Sequence, residues 1–344
     1  MNPRLTTVPA TEDVLDTRAV QAPPAWKKVV ATSAFWVFAI DLGLILLFGL
    51  LSDDRVFLSV ANFQNISLSA TEAVILGVGF AYLMGAGQFD LSLGANLVIS
   101  SVIGAKVMAA LDAGLLGSLL GLVTCVAVGA LVGAFNGVII AFLRVNSLIA
   151  TLGTTGVATG VAFVITDAGD VPVPTGLQSS FGLATIADVP LAALVAVAVA
   201  VLAGLVLSYT RIGTRLLAIG SLRASAERAG VRVDRFVFVL FTVVGAMAGL
   251  AGFIDLSRFA STTVSGHTLD SLAAATAAVI GGTAIMGGRI SVIGTVWGAL
   301  LAVILQAGLV VVGLKSFYQQ IAIGLVLIVA VTVDELRNRS RERR

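Results

Sequence analysis

Ten apolar runs alternate with polar interruptions along the chain, at residues 34–51, 69–86, 91–110, 115–134, 147–166, 190–208, 236–254, 271–287, 293–312 and 317–333. Helical runs of about 20 residues match the hydrocarbon thickness of a bilayer, whereas membrane strands would alternate apolar and polar positions over about ten residues. Lipid offers the backbone no hydrogen-bond partners, so each span must satisfy its own groups. The pattern predicts an all-α integral membrane protein of about ten transmembrane helices.

Two interruptions stand apart from the rest. An apolar run from Ala73 to Gly87 is broken by Gln88-Phe89-Asp90-Leu91-Ser92-Leu93-Gly94 and resumes at Ala95. A second break follows Gly281, with Gly282, Gly287, Gly288 and Arg289 before the apolar run resumes. Asp90, Gly94, Gly282, Gly287, Gly288 and Arg289 are therefore the candidate helix-break residues. Two interrupted helix pairs at corresponding places in two halves suggest an internal duplication, with broken helices lining a transport path. Two ordinary interhelical loops would produce the same spacing.

Composition agrees with a membrane setting. Hydrophobic residues make up 58% of the 344 and charged residues 12%, with a mean hydropathy of +1.04, beyond what a soluble surface tolerates. With ten crossings, seventeen of the 21 basic residues fall on one side, leaving Arg55, Lys106, Arg258 and Lys315 near or beyond the other. The excess of basic residues predicts that both termini are cytoplasmic. Residues 1–30 read as a disordered cytoplasmic tail, 31–335 as the transmembrane domain, 210–235 as its large cytoplasmic loop, and 336–344 as a basic tail. The net charge of +2 gives no argument for nucleic acid, since topology accounts for the basic residues.

Several chemistries lack their residues. Of four lysines only Lys315 precedes Ser or Thr, and Leu314 stands where a phosphate loop needs glycine. The single histidine, His267, has no Cys or carboxylate at metal-ligand spacing and reads as a solvated residue of an outer loop. No nucleophile-elbow pattern accompanies it, and the lone Cys125 excludes an intrachain disulfide. The expectation is a non-enzymatic chain with no metal site.

Buried ionisable groups would be needed for ion coupling. Asp41 falls mid-span and either carries a proton or is a carboxyl satisfied by a neighbouring helix or held neutral by burial. Glu72 and Lys106 read as close enough to span ends to reach polar surroundings. Asp90 is placed to cap the helix that starts near Leu91. In the cytoplasmic loop, Ser221 to Gly230 reads as a short helix capped by Ser221 and ended by Gly230. It is either a docking element or a solvated loop.

Five ordered motifs resemble the membrane-spanning permease of bacterial ATP-binding-cassette importers for monosaccharides, the ribose/xylose/galactose-type family. They are Asp90-Leu91-Ser92 with Gly94; Asn136-Gly137; Thr151-Leu152-Gly153; Ala218-Ile219-Gly220 with Ala226, Gly230 and Val233; and Gly281-Gly282-Thr283 with Gly287-Gly288, Ser291, Gly294 and Thr295. The resemblance spans about residues 65–335. Leu222 departs from the family's usual Asn, and Gln88-Phe89 from its Gly-Ile.

The resemblance implies a separate ATP-binding subunit that holds ATP and Mg, so that no cofactor belongs to this chain. It also implies a second permease copy or paralogue, a periplasmic or extracellular solute-binding protein, and a multi-pass location in the bacterial inner membrane. Ser221, Leu222, Arg223, Ala226, Glu227, Arg228, Ala229 and Gly230 would form the element coupled to the ATPase. A path for a neutral, hydroxyl-rich solute needs amides, hydroxyls and aromatic faces. Gln88, Phe89, Ser92, Asn96, Asn136, Thr151, Thr154, Thr155 and Gln306 supply them, although such residues also bridge membrane helices. Gly129-Gly133-Gly137 and Gly156-Gly160 read as close helix contacts. The rival functions are an ion-coupled carrier using Asp41 or Asp90, and the same ATP-driven machinery with nucleoside or amino-acid cargo.

Overall fold

The computed structural model describes residues 32–111 and 114–315 and, beyond them, residues 318, 321, 324, 325, 328 and 332. The expected tails, and most of the run at 317–333, lie outside the described residues. The helices are α1 (Ser33–Leu51), α2 (Val60–Gly85), α3 (Leu93–Ala110), α4 (Leu115–Ala141), α5 (Ser147–Thr166), α6 (Leu191–Tyr209), α7 (Arg211–Ser221), α8 (Arg223–Arg228), α9 (Val233–Phe259), α10 (Asp270–Ile280) and α11 (Val292–Val311). Among the described residues eight of these are long and apolar enough to cross a membrane, and α10 is a shorter apolar helix. The only paired strands there are Thr185–Ile186 and Val189–Pro190. The chain is thus an all-α membrane protein.

α2 begins nine residues before the apolar run that signals it. Polar Asn62, Gln64 and Asn65 conceal its first turns, while Ser59 caps it by accepting from the Asn62 amide at 3.2 Å. This moves Glu72 from a span end to mid-helix, and its Oε1 is buried without a partner, so the expected reach to polar surroundings is not what the side chain does. Lys106, near the end of α3, is exposed as expected.

α4 and α9 pack antiparallel at the centre, and glycine makes that possible. A Cβ at Gly129 or Gly133 would collide with the carbonyl of Gly245 or Phe241, and one at Gly245 with the carbonyl of Gly129. Two helix backbones approach this closely only where side chains vanish. Gly156 and Gly160 behave otherwise. Nothing lies within 4 Å of a Cβ at either, so they mark no close helix contact among the described residues.

The run expected at 271–287 is not one span. α10 ends at Ile280, and its 11 residues cover only about 16 Å. Gly282, Gly287 and Gly288 then take positive φ of 92°, 86° and 80°, a backbone region that glycine alone enters freely.

Candidate functional site

The two breaks meet. Gly288 N–H donates to Gly85 O at 3.0 Å, joining the segment after α10 to the end of α2. Gly220 of α7 is wedged against both, since a Cβ there would strike Gly85 O and Gly288 N. The first break, residues 86–92, then runs along α5. Phe89 N–H donates to Ser147 Oγ at 3.2 Å, Leu91 N–H to Thr151 Oγ1 at 3.1 Å, and Thr155 Oγ1 to Leu91 O at 3.1 Å. Hydroxyls of one helix thus replace the backbone partners that a broken helix loses.

At the far end of this segment Asp90 Oδ1 accepts from Ser92 N–H at 2.8 Å and from Ser92 Oγ–H at 2.5 Å. Asn136 Nδ2 donates to Ser92 Oγ at 2.9 Å, and Thr154 Oγ1 to Asn136 Oδ1 at 2.6 Å. Asp90 therefore steadies the turn that leads into α3, which starts at Leu93, two residues later than expected, so that Ser92 rather than Asp90 occupies the cap position. Asn96 donates to the carbonyls of Gly129 at 3.1 Å and Gly245 at 3.4 Å. Both acceptors lie at the midpoints of α4 and α9, so α3 starts halfway along the bundle.

A second segment reaches the same level from the other end. After Phe259 the chain turns at Ala260 (φ 54°), and Thr262 N–H donates to Val171 O at 3.0 Å. It then runs inward until the His267 carbonyl abuts Gly94, where a Cβ would collide with it. Gly94 N–H donates to Ser271 Oγ at 3.0 Å. The N-terminal turns of α3 and α10 thus meet in mid-bundle, and Gly94 lies inside the first turn of α3 rather than in the break itself.

Two positive helix ends facing one another call for negative charge, and carboxylates gather there. His267 Nδ1 is 2.6 Å from Asp270 Oδ2, and Nε2 is 3.4 Å from Asp255 Oδ2; Thr263 Oγ1 donates to Asp255 Oδ2 at 2.7 Å. His267 is thereby flanked by two carboxylates, one at each ring nitrogen. The expected solvated loop histidine is therefore a buried, ion-paired one. Asp270, three residues along the chain, is a carboxylate that the sequence expectation missed, while Asp255 on α9 and Glu72 on α2 are beyond linear spacing. Glu72, His267 and Asp270 each place a donor atom within 4.8 Å of the others.

Of the expected path residues, Ser92, Asn96, Asn136, Thr151, Thr154 and Thr155 are brought together in the buried network around α3, each bonded to protein. Gln88 and Phe89 are half-buried at the start of the break, with Phe89 edge-on to Phe80 at 6.0 Å. Gln306 lies apart, exposed on α11. Asp41 is 2% exposed, and neither carboxylate oxygen has a hydrogen-bond partner among the described residues. No neighbouring helix satisfies it among the described residues.

The expected coupling helix is α8, following α7. Ser221 does not cap it: Ser221 ends α7 and its hydroxyl donates to Leu217 O at 2.8 Å, while Leu222 occupies the cap position without a side-chain bond. Arg289, Arg228 and Leu222 differ in role: Arg289 O accepts from Ala284 N–H at 3.0 Å in the second break, Arg228 bonds Ser225 Oγ at 3.0 Å, and Leu222 projects outward, 57% exposed. Arg223 pairs with Glu227 at 3.0 Å and with Asp234. Ala226 is buried, whereas Ser221, Glu227, Ala229 and Gly230 are exposed; Gly230 (φ 83°) ends the helix. A polar cavity of about 370 Å³ connects α8 to the first break, with Arg223 and Glu227 facing Gly87, Gln88, Arg144 and Ser147.

Residues 62–331 match the family described as branched-chain amino acid transport system / permease component. The chain belongs to this family. It is a multi-pass inner-membrane permease of an importer whose ATP is hydrolysed by a separate subunit, not an enzyme itself. This permease is 30% identical to the D-allose transport system permease protein AlsC of Escherichia coli (strain K12), over 93% of this chain and 98% of that protein. It is 32% identical to the ribose import permease protein RbsC of the same strain, over 81% of this chain and 87% of that one. With the galactose/methyl galactoside import permease protein MglC of Haemophilus influenzae it shares 29% identity, over 88% and 93% respectively. No solved structure matches this permease at a significant level.

Proposed function

We propose that this permease forms the translocation path for a monosaccharide or sugar-like solute, delivered by a binding protein and driven by ATP in a partner subunit. The cargo class rests on relatives of nearly full length whose names specify allose, ribose and galactose.

One observation carries the coupling scheme: Gly220 of α7 packs against both helix breaks at once. Partner subunits that bind ATP and Mg and close would push on residues 210–235, and α7 and α8 would pass that displacement to Gly85, Gly288 and the cavity beside Gln88. Only a difference in the ATPase's affinity for the two permease states can drive such a change. Ten crossings, both termini in the cytoplasm, and a second permease copy across the bilayer complete the scheme, with 1–30 and 336–344 as cytoplasmic tails. The permease itself then needs no cofactor and no nucleic acid.

The test is to co-express the permease with ATPases encoded beside it and measure co-purification for wild type and Arg228→Glu. Retention with wild type and loss with Arg228→Glu supports α8 as the docking element. Equal retention of both removes that role.

A further inference from the structure

Three buried side-chain atoms around His267 have no hydrogen-bond partner: Glu72 Oε1, Asp255 Oδ1 and His267 Nε2. They come from three separate elements, α2, α9 and the segment that precedes α10. Leaving one buried polar atom unpaired costs about 1–3 kcal/mol, so three in one cluster call for something that binds them together. The His267 side chain is 9% exposed and that of Asp255 1%, which keeps bulk water from filling that role.

The imidazole is set up in a particular way. Nδ1 is held by Asp270 Oδ2 at 2.6 Å, while Nε2 points at Asp255, 3.4 Å away. Metal-bound histidines commonly give their second ring nitrogen to a carboxylate, as Nδ1 does here, and a cation bound at Nε2 would displace its ion pair with Asp255. Charge agrees, because three carboxylates face one imidazole. The nearby guanidinium of Arg258 is directed away, to Ser69 at 3.0 Å and Asn65 at 3.3 Å on α2.

We propose that Glu72, Asp255 and His267 bind a divalent transition-metal cation, with Asp270 orienting the imidazole. One imidazole nitrogen with carboxylate oxygens suits Zn²⁺ better than Mg²⁺ or Ca²⁺, which prefer oxygen alone. Tetrahedral Zn²⁺ with bonds of about 2 Å spaces its ligands by roughly 3.3 Å, close to the 3.4 Å between His267 Nε2 and Asp255 Oδ2; Glu72, whose donor atom lies within 4.8 Å of those of His267 and Asp270, would have to draw closer. Bound there, the ion ties α2 and α9 to the inward-running segment and fixes the level at which α10 begins.

The test uses the full-length permease without a histidine tag, in lipid nanodiscs, stripped with chelator, supplied with Zn²⁺ and desalted. The expected result is one Zn per chain by mass spectrometry and a higher unfolding temperature. Binding should fall at least tenfold in Glu72→Gln and in His267→Gln, and about 10- to 100-fold in Asp270→Asn. The wild-type stoichiometry needs no variant to fold, and the two ligand variants tie the bound ion to this cluster. Retention of less than about a tenth of an equivalent by wild type, or full retention by both Glu72→Gln and His267→Gln, overturns the site.

Discussion

Gly94 N–H donates to Ser271 Oγ across 3.0 Å, and this bond joins the first turns of α3 and α10 in mid-bundle. Gly94→Ala drives a methyl group into the His267 carbonyl. The expected cost is about 1–3 kcal/mol of stability, as for overpacking in a filled core, with transport falling further because the two helix N-termini are pushed apart. Thermal unfolding and uptake of the variant check this. Ser271→Ala removes only the bond and should cost less.

Asn136 joins Ser92 to Thr154 with both ends of its amide. Asn136→Leu removes both bonds and leaves the Ser92 hydroxyl to Asp90 and that of Thr154 to Ala150 O. A loss of about 1–3 kcal/mol is expected, measured as a lower unfolding temperature. Thr154→Val, which keeps the Ser92 bond, should show a smaller drop.

The class of fold was legible because lipid leaves helices as the economical way to hide backbone, and apolar length reports them directly. The breaks at 86–92 and 281–291 were legible too, since Gln88, Asp90, Gly287 and Gly288 stand out in apolar surroundings. The inward-running segment before Asp270 was not. Thr262, Thr263 and His267 have the composition of a surface loop, and the partners that take them inside, Val171 for Thr262 and Asp255 for Thr263 and His267, are distant in sequence or separated by a helix end. The sequence misplaces Glu72 for a related reason, because hydropathy does not see the polar first turns of α2.

The two arginines of α8 should separate folding from docking. Arg223 is engaged by Glu227 and Asp234, whereas Arg228 bonds only the Ser225 hydroxyl within the described chain. Arg223→Glu should lower both stability and ATPase association. Exposed ion pairs contribute little, so the stability loss stays below about 1 kcal/mol. Arg228→Glu should lower association alone. Melting curves and co-purification yields from the same preparations distinguish them.

Uptake into proteoliposomes addresses the transport function most directly. The permease is reconstituted with its ATPase and binding protein, and a radiolabelled panel of allose, ribose and galactose is offered outside. The expected result is accumulation of a monosaccharide that requires the ATPase, the binding protein and ATP on the ATPase side. Accumulation by the permease alone, following an imposed ion gradient and indifferent to ATP, would contradict it and turn attention to Asp41 and Asp90.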